Sequence, residues 1–363
     1  MSAFITSIGI ANPPYQITQE EVHGIMVKAH QLDEEEAQKL KALYRASGIG
    51  SRYSVIKDYQ QNGAFDFYPQ NDELDPFPTT ADRNKLFAKT ALEISLEAIR
   101  NCLPGEFDIS EITHLITVSC TGLYAPGLDI DIVYELGLNK SVERTGINFM
   151  GCYAAFNALK VANSICSCDT SAKVLVVCTE LCSIHFQKKK TEDNLLANAL
   201  FGDGSAAVLI EPRASTDVAL EMKNFSCDLL PNGINDMAWN IGDFGFEMKL
   251  SAYVPDVNEE GINTLLGRLS DENFSHFEHY AVHPGGKKIL SVVEDKMGID
   301  KSQNITAHEV LREYGNMSSP TILFVLKKLM DKLSVENDGD QIFSLAFGPG
   351  LTLESMILDI HSK

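Results

Sequence analysis

The stretch Asn148-Phe149-Met150-Gly151-Cys152-Tyr153-Ala154-Ala155 joins a β-like segment to the first turn of a helix and places a cysteine at the junction. The helix runs on over Ala154–Ile165, where Ala155, Phe156, Leu159, Val161 and Ala162 recur at helical spacing. A helix N-terminus presents unpaired N–H groups and a partial positive charge. Both favour thiolate over thiol and can draw a cysteine below its usual ~8.5. Gly151 permits the tight turn that exposes a nucleophile at a strand-to-helix junction. A buried cysteine at the start of a helix fits the same residues, so this stretch alone leaves both open.

Outward from it, strand-like runs at Phe4–Ile10, Leu115–Cys120, Lys173–Thr179 and Ser205–Ile210 alternate with helical patterns such as Arg83–Arg100. Alternation of this kind predicts an α/β architecture. The second half repeats the rhythm, with a strand at Tyr280–Val282, helices at Lys287–Lys296 and Pro320–Leu333, and strands at Ile342–Ala346 and Leu351–Leu358. The text turns to Pro, Arg, Ser and Thr around Glu211–Thr216, which marks the crossing between the halves without a long linker. The boundaries are 1–213 for the half that carries Cys152 and 214–363 for the rest. The polar, Pro-rich run Asp58–Asp82 is expected to be a surface loop or lid.

The 363 residues are 44% hydrophobic and 22% charged, enough apolar text for a full core, and this excludes disorder, collagen and coiled coil. No apolar run approaches the ~18 residues of a membrane span. The N-terminal residues lack a basic flank and a small-residue cleavage site, so a cytoplasmic chain is expected. Thirty basic against 50 acidic residues leave a net charge of −20, which opposes binding to nucleic acid or to an anionic membrane. Eight irregularly spaced cysteines do not make a disulfide framework. Cys166-Ser167-Cys168 has no second Cys/His pair at ligand spacing, so no metal site is expected. Lys188-Lys189-Lys190 and the group Lys39, Lys41, Arg45 and Arg52 are the local basic patches a phosphate-bearing ligand would require, and a solvated face is the favoured reading of each.

Two further segments bear on Cys152. His283 stands in Val282-His283-Pro284-Gly285-Gly286, at the end of an apolar strand and 131 residues after the cysteine. Asn316 stands in Tyr314-Gly315-Asn316-Met317-Ser318-Ser319-Pro320, a loop feeding a helix, and supplies a neutral amide donor. A core histidine and a helix N-cap would explain them singly.

With Gly151-Cys152, these motifs and Phe347-Gly348-Pro349-Gly350-Leu351-Thr352 follow one another in the order and approximate spacing of a known family. Over almost its whole length the chain resembles a type III polyketide synthase of the chalcone synthase superfamily. The resemblance implies a thiolase-like fold, with two pseudo-symmetric α/β halves, each holding a mixed sheet, in a five-layered αβαβα arrangement, and it implies a homodimer. It also implies that Cys152, His283 and Asn316 form the catalytic triad. Phe201 and Phe246 match the gatekeeping aromatics. Ser318 and the Gly348-Pro349-Gly350 loop belong to the substrate site, and Lys39, Lys41 and Arg45 fall in the CoA-binding region, where plant members are more densely basic. Cys120, Cys182 and His185 replace threonines of the plant starter pocket, and Met237 replaces a small residue.

Ser119-Cys120-Thr121-Gly122 and Glu180-Leu181-Cys182-Ser183 resemble bacterial alkylpyrone and alkylresorcinol synthases, which points to a fatty acyl starter. The implied reaction loads an acyl group from acyl-CoA onto a Cys152 thiolate paired with a charged His283. It then extends the chain by decarboxylative condensation with malonyl-CoA, without further cofactors. Alternatives of the same text are a single-condensation ketosynthase served by an acyl carrier protein, and a non-catalytic homologue acting as a binding subunit.

Overall fold

The computed structural model describes residues 3–60, 65–71, 73–103, 105–230, 233–234, 236–251, 261–267 and 277–362. Its centre is a nine-stranded mixed sheet. From edge to edge the strands are His279–Val282, Gln341–Gly348, Thr352–Ser362, Val218–Leu229, Phe4–Ala11, Asp203–Glu211, Val174–Leu181, His114–Ser119 and Glu143–Asn148. Parallel neighbours require a crossover, and helices supply it. Leu128–Leu136 links His114–Ser119 to Glu143–Asn148, and Ala154–Cys168 leads on to Val174–Leu181. In the second half Lys287–Met297, Ile305–Tyr314 and Thr321–Met330 lie between the parallel strands His279–Val282 and Gln341–Gly348.

The central strands are apolar because both their faces are covered. Val174–Leu181 is buried at every position, and its alternate residues enter two different cores. Val174, Val176 and Cys178 pack with Ala154–Cys168, while Leu175 and Val177 pack with the long helix Thr80–Cys102. Ala206, Val208 and Ile210 divide from Ala207 and Leu209 in the same way on Asp203–Glu211. Ala154–Cys168 and Thr321–Met330 each contact strands of both halves and form the middle layer of the thiolase-like arrangement.

Each half was expected to hold its own sheet. Instead, the pairs Phe4↔Glu221 and Ile5↔Leu220 join five strands of the first half to four of the second. The join is short because Phe4–Ala11 spends the rest of its length on Asp203–Glu211. The strand ending at Glu211 passes to the one beginning at Val218 through six residues.

The run Asp58–Asp82 departs from a simple surface loop. The buried Asp58 carboxylate accepts the N–H groups of Asp66, Phe67 and Tyr68 at 2.7–3.0 Å, Tyr68 and Leu74 are buried, and a helix begins at Thr80. Residues 61–64 and 72 of that run lie outside the described residues. Helices at Gln19–Ala29 and Glu34–Ala46, each opened by a capping box on Thr18 or Asp33, were not foreseen. No helix among the described residues is long and apolar enough to cross a membrane.

Candidate active site

Strand Glu143–Asn148 ends in a turn that the backbone can make only with two left-handed residues, Phe149 at φ 59° and Gly151 at φ 83°. Cys152 follows, two residues before helix Ala154–Cys168. A Cβ on Gly151 would stand 2.4 Å from Pro349 Cδ, and one on Gly348 would stand 2.8 Å from Tyr153 Cδ1 and 3.2 Å from the Cys152 nitrogen. The Gly348-Pro349-Gly350 loop therefore lies directly on the cysteine turn, closer than any side chain would allow. On the other side Gly151 donates its N–H to Cys120 Sγ at 3.0 Å.

His283 continues strand His279–Val282 and donates its N–H to the Leu345 carbonyl at 2.8 Å. Its side chain is fully buried with Phe347 edge-on at 5.8 Å, and neither ring nitrogen has a hydrogen-bond partner. Asn316 donates its N–H to Leu200 O and accepts from Gly202 N, both at 2.9 Å, which forms an isolated bridge beside Phe201. Its Oδ1 accepts the Ser318 N–H at 2.8 Å. That bond orients the amide, leaving Nδ2 4.0 Å from Cys152 Sγ and 3.5 Å from Gly285 O. The helix after it starts at Thr321 with Pro320 as its cap, so Asn316 is not the N-cap.

Cys152, His283 and Asn316 open on one cavity of about 400 Å³, together with Phe201, Phe246, Cys120, Cys182, His185, Met237, Ser318 and Pro349. Gly348 and Gly350 stand behind this wall. Of the basic group Lys39, Lys41, Arg45 and Arg52, Arg52 alone reaches it. Lys39 is exposed and pairs with Glu35 at 2.6 Å, Lys41 lies 3.9 Å from Glu20, and Arg45 is exposed on the same helix. The helix Glu34–Ala46 turns Leu43 and Ala46 to the cavity instead, and the cations on the wall are Arg52, Lys287 and Lys288. Arg52 is buried and donates to the Phe201 carbonyl at 2.6 Å.

Burial decides the protonation of the pair. Desolvation pushes the Cys152 thiol up to about 11, although hydrogen bonds from Ser318 and Asn316 pull it partly back. Desolvation likewise lowers His283 to about 3. Burial thus works against the thiolate and the charged imidazole expected from the sequence. The low-dielectric site outweighs the helix terminus, which acts only over its first turn. His185 is also held neutral, at about 3, chiefly by burial. Its Nδ1 accepts the Phe246 N–H at 2.9 Å, so Nε2 donates to the Thr121 carbonyl at 2.7 Å, and the ring stacks on Phe246 at 4.2 Å.

Two residues escaped the sequence reading. Glu180 is fully buried. Its carboxylate takes Ser319 Oγ and Thr121 Oγ1 at 2.7 Å, the Cys120 N–H at 2.9 Å and Ser119 Oγ at 3.3 Å, and burial raises its pKa. The signal was an acid inside an otherwise apolar buried strand. Trp239, the sole tryptophan, also lies on the cavity wall.

Comparison with known proteins identifies the family. The profile of the N-terminal domain of chalcone and stilbene synthases matches residues 1–213, and that of the C-terminal domain matches residues 221–361. The chain is 31% identical over 369 residues to probable polyketide synthase 1 of Dictyostelium discoideum, covering 98% of this chain and 11% of that much longer protein. It is 30% identical to type III polyketide synthase A of Arabidopsis thaliana, over 98% of this chain and 92% of the relative. It is also 30% identical to the alpha-pyrone synthesis polyketide synthase-like protein Pks18 of Mycobacterium tuberculosis, over 91% and 84%. The C-terminal type III polyketide synthase domain of Steely1, from Dictyostelium, superposes with a TM-score of 0.88 at 30% identity and covers 99% of both chains. The chain belongs to the chalcone and stilbene synthase family of type III polyketide synthases.

Proposed function

We propose that this chain takes a fatty acyl group from CoA onto Cys152 and extends it with malonyl-CoA to an alkylpyrone or alkylresorcinol type of product. The observation that carries this reading is a single, mostly apolar cavity on which a buried thiol, an imidazole with two unpartnered nitrogens and an oriented amide all open. In loading, His283 takes the Cys152 proton as the sulfur attacks the acyl thioester, and CoA leaves as its thiol. A neutral imidazole with a free nitrogen is the form able to do this. In extension, loss of CO₂ from the malonyl thioester places negative charge on its carbonyl oxygen. His283 Nε2–H and Asn316 Nδ2–H are the donors for that oxygen, each worth roughly 3 kcal/mol. The enolate carbon then attacks the acyl group on Cys152, and the sulfur leaves.

A fatty rather than an aromatic starter is supported by the outer wall, where Ile17, Val22, Met26 and Leu43 face the same space as Leu196 and Ala197. Pks18, by its name an alpha-pyrone synthesis protein, is one of the similar chains. The pantetheine phosphates would be met by Lys287 and Lys288 at the cavity's edge rather than by Lys39, Lys41 and Arg45. The substrates are free CoA thioesters, because a chain with a net charge of −20 repels an acidic carrier protein. The protein works as a cytoplasmic homodimer. A second copy covers strand Glu143–Asn148, an edge strand exposed at positions 143–146 and 148, and Tyr134 is exposed on the helix Leu128–Leu136 that packs against it.

Incubation with malonyl-CoA and a series of acyl-CoAs, read by mass, tests the proposal. Starters extended two or three times support it, whereas a product stopped after one extension, or no product, would overturn it.

A further inference from the structure

The hairpin Met237–Gly242 and Gly245–Leu250 roofs the cavity, and its pleat sorts its residues. Trp239 pairs with Met248 and Met237 with Leu250, and these four share the cavity wall with Phe246. Asn240, Glu247 and Lys249 point to solvent. Within that face the side chains differ in freedom. Met237 and Met248 are unbranched thioethers that re-pack around whatever enters. The indole of Trp239 is pinned at its tip, where Nε1 donates to the Cys120 carbonyl at 2.7 Å. Cys120 in turn accepts the Gly151 N–H next to the nucleophile, so the indole is tied to the turn from which the acyl chain starts. Its ring stands edge-on to His185 at 5.7 Å and to Phe246 at 5.9 Å. His185 is fixed by its own two hydrogen bonds. Moving the indole aside would strand its N–H in an apolar cavity, which costs more than re-packing a methionine.

We infer that Trp239, held by the Cys120 carbonyl against the His185–Phe246 stack, is the specificity-determining residue that limits the length of acyl chain carried on Cys152. The inference rests on the acyl-loading reading above and adds the residue that meters it.

The native chain and the variant Trp239→Leu are each given malonyl-CoA and saturated acyl-CoAs from butyryl to stearoyl, with kcat/KM recorded for each length. The variant is expected to keep turning over starters at least two carbons longer than the native limit, with a gain of about fourfold per newly accommodated methylene. An unchanged length profile overturns the inference. Because Trp239 is the sole tryptophan, the native chain also reports without any substitution. Its emission is expected to shift progressively with the length of the loaded chain and to level off where kcat/KM collapses. The mass of the intact enzyme shows whether Cys152 carries the acyl group. An adduct at every length with unmoved emission overturns the inference alone, whereas absence of any adduct overturns the loading reading and the inference with it. Should Trp239→Leu fail to fold, the emission series of the native chain decides.

Discussion

Cys152 and His283 are matched to each other through burial rather than through charge. Desolvation pushes the thiol up to about 11 and the imidazole down to about 3, and in the proposed loading step the proton would pass between them as the thioester arrives. Alkylation of Cys152 by iodoacetamide, followed at that peptide because Cys168 and Cys227 are exposed and react as well, should climb roughly tenfold per pH unit from neutral toward about 11. A resting thiolate–imidazolium pair would give a flat profile there. On the proposed reading Asn316 acts at a different step. Asn316→Ala would remove the donor proposed for the enolate oxygen and is expected to slow malonyl decarboxylation about a hundredfold. Acyl loading of Cys152 should persist within a few-fold, measured by intact mass. The residue types of this site were legible in the sequence, since a Gly-Cys at a strand end, a His-Pro-Gly-Gly and a Gly-Asn-Met-Ser-Ser carry few other uses together. Their protonation was not, because desolvation depends on every group packed around them, and none of those groups is a sequence neighbour.

At the level of elements, the site is where loops meet at the ends of strands, and glycines set how near they come. The cysteine turn touches the Gly348-Pro349-Gly350 loop through Gly151, whose missing Cβ is filled by Pro349. Gly151→Ala combines a steric clash with a left-handed φ of 83°. It is expected to cost about 1–3 kcal/mol in urea unfolding and to abolish acyl loading by displacing the sulfur. Strand and helix periodicity made Phe4–Ala11, Val174–Leu181, Thr80–Cys102 and Ala154–Cys168 readable within a few residues. The hairpin Met237–Leu250 was not readable, because its apolar face meets a cavity and its turn, Asp243-Phe244, lacks the Asn-Gly signal of a tight hairpin. Helices Gln19–Ala29 and Glu34–Ala46 were missed for a related reason. Their apolar stripes are narrow, and only the capping residues Thr18 and Asp33 announce them.

Across the whole molecule, a nine-stranded sheet ends on one side at Glu143–Asn148, with no further strand among the described residues to pair with it. Such an edge is expected to be covered by a second copy, and light scattering should give twice the 40.0 kDa chain mass. Tyr134→Glu, at a side chain 76% exposed on the helix packed against that edge, should shift that mass toward one chain. The alternation of buried and exposed text, the punctuation by Gly and Pro, and the few polar residues set into apolar strands are local properties, and from them the amino-acid order by itself determined the α/β class and the residue types of the three side chains that meet at the cavity. Only the tertiary structure decided that the two halves share one sheet, that Leu43 and Ala46 rather than Lys39, Lys41 and Arg45 meet the cavity, and that the tryptophan of a late hairpin walls it. Those outcomes depend on distance, solvent exclusion and the directions of side chains brought together from remote parts of the chain, which come into being only when the layers pack.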